Sequence, residues 1–354
     1  MPTIPETMQA IAVTAYGGKL AVIEARVPHP SSNEVLVHVR ASGLCSTDTH
    51  LLNGRQPLGN LPRILGHELA GDIVELGPSV QGWQVGDRVT AAVDIVCGNC
   101  KHCRTGQTQR CRNLERIGFE RDGGHSEYVI VPVTNLVRFS ENVSYEQAAI
   151  LPDAVACTYH SLVGQGNLTL GQTVVILGVG GLGIHGVQIA VHAGARVIAT
   201  SRRQERLDVA EKYGAIPVNP EKQSLEEIVH ELTSGEGADL VMDNIGNTAS
   251  IAQGFKIMRP GGKFLVVAYL EENFKVASMP LFSKEFELIG CRGSKLQDLV
   301  DVVRLVEEGV IQPVIGAYFD MQEIDQAVHC LENSQMIGRI VLTRKDRDLK
   351  GELN

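Results

Sequence analysis

The chain has 354 residues and a formal net charge of −9 at pH 7, with 44% hydrophobic and 21% charged residues. This length suggests two domains, and the composition is ordinary for a soluble globular protein. The negative balance argues against a nucleic-acid or anionic-membrane partner. The N-terminus lacks the features of a signal peptide, and no apolar run approaches the ~20 residues of a membrane span, so we expect a cytoplasmic protein.

The first part of the chain, residues 8 to about 155, has the pattern of β-structure. Residues 34–40 alternate between apolar and polar side chains, which predicts a half-buried strand, and residues 85–89 predict the start of another. Glycine and proline interrupt the pattern at short intervals. Together these features predict an antiparallel, barrel-like domain.

From about residue 156 to 294 the predicted strands and helices alternate. The strands are expected at 173–177, 196–199, 239–243 and 263–268, and the helices at 184–193, 204–213, 225–233 and 248–258. Such alternation predicts a doubly wound parallel sheet, whose ligands bind beside the carboxyl ends of the strands. Two more helices (296–308 and 321–333), a strand (339–343) and a polar tail (345–354) that we expect to be mobile complete the chain.

A glycine cluster separates the first predicted strand of this region from its helix: Gly178, Gly180, Gly181, Leu182 and Gly183. In the dinucleotide fingerprint the first glycine allows a tight turn, the second lets the backbone approach a pyrophosphate, and the last lets the helix pack on the strand. The helix N-terminus then offers N–H groups to the phosphates. An ordinary strand-to-helix turn is the alternative.

The tip of the second predicted strand bears on the choice of dinucleotide. An NAD site usually carries an acidic residue there, but this tip reads Ser201, Arg202, Arg203. Because guanidinium groups pair well with a phosphate dianion, the sequence favours NADP(H) over NAD(H). Asn244, in the loop after 239–243, is a further candidate for cofactor binding.

Eight cysteines in a chain without a secretion signal favour metal binding or catalysis over disulfides. Four of them lie close together: Cys97, Cys100, Cys103 and Cys111. Four thiolates at this spacing can close a tetrahedral structural zinc site. An iron–sulfur cluster is the alternative, although the last spacing differs from that of bacterial ferredoxins. Four unrelated thiols are the third interpretation.

A second set of possible ligands is dispersed along the chain: Cys45, His67, Glu68 and Asp153. Each has an ordinary structural explanation, since Cys45 can be a small buried residue, His67 a hydrogen-bonded core histidine and Asp153 a helix cap. Spacing alone does not separate a shared metal site from these explanations.

Taken together, these motifs resemble the zinc-dependent medium-chain dehydrogenase/reductase family, the alcohol dehydrogenase superfamily. The resemblance runs from about residue 8 to 343 and rests on Gly43-x-Cys45-x-Thr47-Asp48-x-His50, Gly66-His67-Glu68, the four-cysteine segment and the glycine cluster. It implies a GroES-like β-barrel catalytic domain (1–155 and 295–354), completed by the C-terminal strand, beside a Rossmann cofactor domain (156–294). It also implies a homodimer or a homotetramer.

The resemblance also assigns roles to residues. Cys45 and His67 match ligands of a catalytic zinc, Glu68 a neighbouring carboxylate that can enter its coordination, and Asp153 a third ligand that is cysteine in many members. Thr47 and His50 match the relay that carries the alcohol proton to solvent. Arg339 matches an arginine that reaches the cofactor phosphates, whereas Cys157 replaces a frequent threonine and is expected only to pack.

The implied activity is an NADP(H)-dependent interconversion of an alcohol and an aldehyde or ketone, with one catalytic and one structural zinc. Zinc with three protein ligands keeps a position open for the alcohol and lowers the pKa of its hydroxyl. A reductase of an activated C=C bond, as in an enal or an enoyl thioester, is the first alternative. A non-enzymatic NADPH-binding redox sensor is the second.

Overall fold

The computed structural model describes residues 4–268 and 273–344. Its strands are β1 (Thr7–Val13), β2 (Leu20–Arg26), β3 (Glu34–Leu44), β4 (Arg63–Ile64), β5 (Glu68–Leu76), β6 (Arg88–Ala91), β7 (Asp94–Ile95), β8 (Glu115–Arg116), β9 (Tyr128–Pro132), β10 (Leu136–Arg138), β11 (Thr173–Leu177), β12 (Arg196–Thr200), β13 (Ile216–Val218), β14 (Ala238–Asp243), β15 (Met258–Val266), β16 (Glu287–Gly290), β17 (Ile315–Asp320) and β18 (Arg339–Thr343).

The helices are α1 (Ser46–Leu52), α2 (Lys101–Arg104), α3 (Tyr145–Ala149), α4 (Ala156–Tyr159), α5 (Gly183–His192), α6 (Gln204–Lys212), α7 (Leu225–Leu232), α8 (Thr248–Ile257), α9 (Ser278–Ser283), α10 (Leu296–Glu307) and α11 (Ile324–Glu332). None of the helices in the described ranges is long and apolar enough to cross a membrane. The predicted polar tail, 345–354, lies outside the described residues.

The chain divides into two compact units. Unit 1 contains the described residues of 1–153, 294–307 and 315–354, and unit 2 contains those of 154–293 and 308–314. Residues 308–314, which follow α10, therefore group with unit 2. The sequence had placed them with the C-terminal part of the first domain.

Unit 1 is built on β-sheets. Its larger sheet has the order β10-β6-β5-β3-β18-β17, with β9 also paired to β3, and a smaller sheet has the order β2-β1-β4. The C-terminal strand β18 pairs antiparallel with β3, which confirms that it completes this sheet. The pairing of β18 with β17 is parallel.

The strand predicted at 34–40 is longer and more buried than its alternation suggested. In β3, Val35, Leu36 and Val37 are all fully buried. Their burial follows from position, because β3 pairs with β5, β9 and β18 and apolar clusters cover both of its faces. A strand does start within the predicted range 85–89: β6 begins at Arg88, after a turn through Gly86 (φ +95°).

Unit 2 contains the predicted doubly wound sheet. All six strands are parallel, in the order β13-β12-β11-β14-β15-β16. This is the order of a dinucleotide-binding sheet, and its central strand β11 is completely buried. Because β12 and β14 flank β11, the loops that follow these three strands meet at one edge of the sheet.

Three features of unit 2 and of the C-terminal region differ from the sequence prediction. The strand expected at 263–268 begins already at Met258, directly after α8, with a register shift against β14. The helix expected at 321–333 is a 3₁₀ turn (Met321–Glu323) followed by α11. Strands β13, β16 and β17 were not predicted; β13 and β16 have only three and four residues, and β17 has no buried residue.

Candidate metal centres and cofactor site

The four-cysteine cluster is built by one short stretch of chain. Cys97 precedes α2, Cys100 is the residue before its first turn, Cys103 lies within it and Cys111 follows a 3₁₀ turn. The sulfur atoms lie 3.5 Å apart for Cys100–Cys103, 3.5 Å for Cys111–Cys97 and 4.0 Å for Cys97–Cys103. All four are free thiols, within 4.8 Å of one another.

These distances fit a tetrahedral metal site. A Zn–S bond of about 2.3 Å corresponds to sulfur–sulfur distances of about 3.8 Å in a regular tetrahedron. Backbone N–H groups of Arg112 and Cys103 lower the pKa of the Cys100 thiol to about 6, which favours the thiolate that a metal requires. Burial raises the pKa of Cys103 to about 12, and the neighbouring Cys100 adds to the effect. A bound cation would favour the thiolate form of all four cysteines.

The second cluster joins three distant parts of unit 1. Cys45 lies between β3 and α1 and is the N-cap of α1, His67 directly precedes β5, and Asp153 lies in a π-helical turn (Leu151–Val155). The antiparallel pairing of β3 with β5 brings the first two together. Asp153 Oδ2 lies 3.6 Å from Cys45 Sγ and 3.7 Å from His67 Nε2. A π-turn inside a helical segment often marks a functional position.

A buried carboxylate orients two of these side chains. Asp48 is 0% exposed; its Oδ2 accepts a hydrogen bond from Cys45 N at 2.8 Å, and its Oδ1 lies 3.6 Å from His67 Nδ1. With Nδ1 directed at a carboxylate, Nε2 is the nitrogen available to a metal. Burial opposes ionisation of Asp48, but His67 and His125 lower its pKa well below the ordinary value.

His125 adds a further layer behind Asp48. Its Nε2 lies 3.6 Å from Asp48 Oδ2, and its Nδ1 is 2.6 Å from Ser42 Oγ. Neither Asp48 nor His125 was assigned a role from the sequence. Asp48 stood only as a position in the family motif, and His125 lies on a distant segment whose contact with Asp48 depends on the fold.

Arg339 lies inside this cluster. Its Nη2 is 2.7 Å from Asp153 Oδ2 and 2.7 Å from Glu68 Oε1, and the residue is only 3% exposed. Burial and the charge of Asp153 raise the pKa of Glu68, although Arg339 acts in the opposite direction. Glu68 is not one of the three grouped ligands. The predicted contact of Arg339 with cofactor phosphates stays a prediction.

The chemistry of this cluster fits a divalent cation. Cys45, His67 and Asp153 offer one sulfur, one nitrogen and one oxygen, all within 4.8 Å of one another. Asp48 and Glu68 add two fully buried carboxyl groups, and the guanidinium of Arg339 contacts Glu68 and Asp153 but offsets only part of the negative charge of the three acidic residues. Bound zinc would offset this charge. Such a metal competes with the proton on His67, whose pKa is raised by Asp48 despite burial.

Two glycines of the sequence motifs make room for these side chains. A Cβ at Gly43 would overlap the carboxylate of Glu68, and one at Gly66 would overlap His125. Gly66 also has a φ of +97°, which favours glycine. The motif glycines are thus explained by the space that Glu68 and His125 occupy.

The two predicted relay residues share a face of α1. Thr47 and His50 are three positions apart, a spacing that places side chains on the same side of a helix. Thr47 Oγ1 is 3.5 Å from Cys45 Sγ. Both residues are half-buried.

The glycine cluster forms the tight turn between β11 and α5. Gly178 has a φ of +87°, and a Cβ at Gly183 would overlap the Gly178 carbonyl. At Gly180 an added Cβ meets no atom within 4 Å, so the backbone there faces open space. Asn244 Nδ2 lies 3.5 Å from the carbonyl oxygens of both Leu177 and Gly178, which places this predicted residue beside the turn.

The predicted phosphate-binding residues follow β12. Ser201 Oγ accepts a hydrogen bond from Arg203 N at 3.1 Å, and Arg202 is largely exposed, with Nη1 3.9 Å from Glu221 Oε1. Arg206, which the sequence prediction missed, lies in the first turn of α6. Burial and the charge of Arg203 lower the pKa of Arg206. The positive charge of Arg203 therefore acts on Arg206 at the start of α6, and Glu205 partly opposes it.

The comparisons with known proteins agree with this architecture. Residues 31–141 match the alcohol dehydrogenase GroES-like domain family, and residues 181–308 match the zinc-binding dehydrogenase family. The chain is therefore an oxidoreductase of the medium-chain dehydrogenase/reductase family. Its mixed fold, with a GroES-like β-barrel domain and a doubly wound domain, is as predicted.

Particular relatives cover almost the whole chain. A sorbitol dehydrogenase from Halalkalibacterium halodurans is 30% identical over 347 residues, covering 96% of this chain and 100% of that protein. An acryloyl-coenzyme A reductase from Metallosphaera sedula is 31% identical over 341 residues, covering 95% and 100%. A zinc-binding dehydrogenase from Sinorhizobium meliloti 1021, solved bound to NADP, has a TM-score of 0.86 at 28% identity, covering 96% of this chain and 100% of that one.

Proposed function

We propose that this protein is a zinc-dependent dehydrogenase that interconverts an alcohol and an aldehyde or ketone with NADP(H). The observation that carries the proposal is the convergence of buried Cys45 and His67 with partly buried Asp153 in one cluster, beside the hydroxyl of Thr47. Three side-chain ligands are what a catalytic zinc uses, since it keeps a further position for substrate.

In this proposal Cys45, His67 and Asp153 hold the catalytic zinc, with Glu68 as the neighbouring carboxylate. When bound, zinc supplies Lewis-acid polarisation of the substrate oxygen. Thr47 accepts the hydroxyl proton of the alcohol at Oγ1 and releases the proton of its own hydroxyl group. His50 then delivers a proton to solvent, a role for which an imidazole is suited. Asp48 holds the His67 ring in place. Cys97, Cys100, Cys103 and Cys111 hold a second, structural zinc.

The glycine turn is the proposed site of the dinucleotide pyrophosphate. We assign this role to Gly178, Gly180, Gly181, Leu182 and Gly183, with Asn244 beside them and Arg339 as a further phosphate contact. The 2′-phosphate of NADP(H) would meet Ser201, Arg202 and Arg203, to which the geometry adds Arg206. The electrostatic effect of Arg203 on Arg206 supports this assignment, since a bound anion would offset the repulsion between the two charges.

Reduction of an activated C=C bond is the second candidate function. Its support is the acryloyl-coenzyme A reductase, which is 31% identical over almost its full length. In the reduction of a carbonyl and of a C=C bond alike, the hydride would come from NADPH held at the same dinucleotide site. The ligand set with Thr47 and His50 favours the alcohol reaction, because it offers a path for a hydroxyl proton. A redox sensor without turnover would need neither ligands nor relay.

We also propose a homodimer or homotetramer. Strand β16 is the last strand of the unit 2 sheet, and Leu288 on it is 40% exposed. Met279 and Phe282 on α9 are 70% and 82% exposed. A sheet that ends at β16 within the described residues, and large exposed apolar side chains in the same unit, support association with a second copy. Light scattering of the purified protein tests this, and a monomeric mass would contradict it.

The test of function is turnover against a panel of alcohols, aldehydes, ketones and enals, with both cofactors, before and after metal removal. Metal-dependent oxidation of an alcohol or reduction of a carbonyl, with NADP(H) preferred, is the expected result. Metal-independent consumption of NADPH with enals or enoyl thioesters alone would support the second candidate. Binding of NADPH without turnover of any substrate would favour the sensor.

A further inference from the structure

A buried histidine that the proposed chemistry does not use lies directly behind the glycine turn. His185 is in the first turn of α5 and is 0% exposed. Its Nδ1 is 2.8 Å from the carbonyl oxygen of Gly181, and its Nε2 is 2.9 Å from the backbone N of Val314. The imidazole therefore bridges the glycine turn and residues 308–314, all within unit 2.

The two partners define the protonation of this ring. A carbonyl oxygen can only accept, so Nδ1 carries the hydrogen. A backbone N–H can only donate, so Nε2 presents a lone pair to Val314. With both contacts made, His185 is a neutral imidazole in one tautomer and serves at once as donor and acceptor.

The side-chain contact with the Gly181 carbonyl lies where the helix starts tightly. In a regular α-helix each N–H bonds to the carbonyl oxygen four residues back. Here the N–H of His185 bonds to Leu182 O, three residues back, at 2.9 Å, and the N–H of Gly186 bonds to the same oxygen at 3.1 Å. At this start of the helix the side chain of His185 adds a hydrogen bond to Gly181 O.

Holding the Gly181 carbonyl also orients the next amide. A peptide group is planar and trans, so the C=O of Gly181 and the N–H of Leu182 share a plane and point in opposite directions. Leu182 is the N-cap of α5 and one of the residues assigned to the pyrophosphate. N–H groups at a helix start have no helical acceptor, and they are the groups that bind phosphate.

The far end of the bridge is independently anchored. Gln188, three positions along α5 on the same face, is 5% exposed. Its Nε2 donates to Gln312 O at 3.0 Å, and its Oε1 accepts from Gln312 N at 2.8 Å. Residues 312–314 are thus fixed against α5 by three hydrogen bonds, of which only the one to His185 continues to the glycine turn.

We propose that His185 is a positioning residue for dinucleotide binding: it holds the Gly181–Leu182 peptide in the orientation that presents its N–H to the pyrophosphate. This inference rests on the proposed role of the glycine turn. Loss of the Gly181 contact should weaken cofactor binding, whereas loss of the Gln188 anchor alone should lower only stability.

Two conservative variants separate the ends of the bridge. The side-chain N–H of asparagine can take the position of Nδ1 and donate to the Gly181 carbonyl oxygen. The side-chain oxygen of glutamine can take the position of Nε2 and accept from the backbone N–H of Val314. We expect His185→Asn to bind NADPH within about threefold of the wild type and His185→Gln to bind it about tenfold more weakly. Gln188→Leu, the control, should lower the melting temperature without changing the dissociation constant.

The measurements are fluorescence titrations with NADPH and NADH and a thermal melt of each variant. If the wild type binds neither cofactor, the proposed dinucleotide site fails, and this inference fails with it. If the wild type binds but His185→Gln binds equally tightly, only the positioning role is overturned. The same holds if Gln188→Leu weakens binding as much as His185→Gln does.

Discussion

The two metal-ligand clusters of unit 1 are built in opposite ways. Cys97, Cys100, Cys103 and Cys111 come from fifteen consecutive positions, and their sulfur atoms meet through local turns. Cys45, His67 and Asp153 come from three segments that the pairing of β3 with β5 and a π-turn bring together. The first cluster can be recognised from spacing, whereas the second exists only through the fold.

The clusters also differ in what surrounds them. In the first cluster, backbone N–H groups donate hydrogen bonds to partly exposed sulfur atoms, as at Cys100. The second cluster lies beside Asp48, Glu68 and Arg339. Asp48 contacts His67, and the guanidinium of Arg339 contacts Glu68 and Asp153 and offsets part of their negative charge. A local cluster of four like ligands suits a structural metal, while a mixed and supported cluster suits a reactive one.

The largest effect that separates the clusters is expected for the ligands of the second. His67→Ala or Asp153→Ala should lower kcat/KM at least about 1,000-fold, because each removes a ligand of the reactive metal. The dissociation constant of NADPH should stay near the wild-type value. Steady-state kinetics and cofactor titration measure the two effects, and turnover retained in either variant would refute this metal site.

Removing Arg339 tests the burial of the same cluster. Arg339→Met would leave Glu68 and Asp153 without the guanidinium that both contact, so the free energy of unfolding should fall by about 3–5 kcal/mol. Lys19→Met is the control, since the pair of Lys19 with Asp325 is exposed and should contribute only about 0–1 kcal/mol. Urea unfolding measures both, and equal losses would contradict the difference in burial.

A smaller effect is expected for the group that orients His67. Asp48→Asn keeps the size of the side chain but removes its charge, and metal affinity at the second cluster should fall about 10- to 100-fold. Competition with a zinc chelator measures this affinity. The zinc of the four-cysteine cluster should be released as in the wild type, and unchanged affinity at both clusters would argue against the orienting role.

The smallest effect concerns cofactor choice. Arg206→Ala should weaken NADPH binding about tenfold and leave NADH binding unchanged, because only NADPH carries the 2′-phosphate. Lys212→Ala, at the other end of α6, is the control for a general loss of positive charge. If Arg206→Ala weakens the binding of NADPH and NADH equally, the proposed contact of Arg206 with the 2′-phosphate is wrong.

Local patterns predicted much of this molecule. The glycine cluster and the strands around it predicted the parallel sheet of unit 2, and the spacing of the cysteines predicted the first cluster; the structure contains both. For the second cluster, spacing left Cys45, His67 and Asp153 ambiguous, and the family resemblance was needed to group them. The β3–β5 register that joins two of them cannot be read from either strand alone.

The residues that sequence reasoning missed act across long distances in the chain. His125 reaches Asp48 from a segment seventy-seven positions away, and His185 reaches Val314 across more than a hundred. Neither residue carries a local motif for such a contact. Arg206 was different, because its place one turn after Arg203 on a predicted helix was a readable signal.

We propose that one chain holds two zinc ions with different roles, and a count of bound zinc in three proteins tests this proposal. The wild type should contain two zinc ions per chain, and His67→Ala and Cys100→Ser one each. Turnover should vanish in His67→Ala and persist in the folded fraction of Cys100→Ser. A wild type with a single zinc, lost in Cys100→Ser and kept by a fully active His67→Ala, would contradict the account.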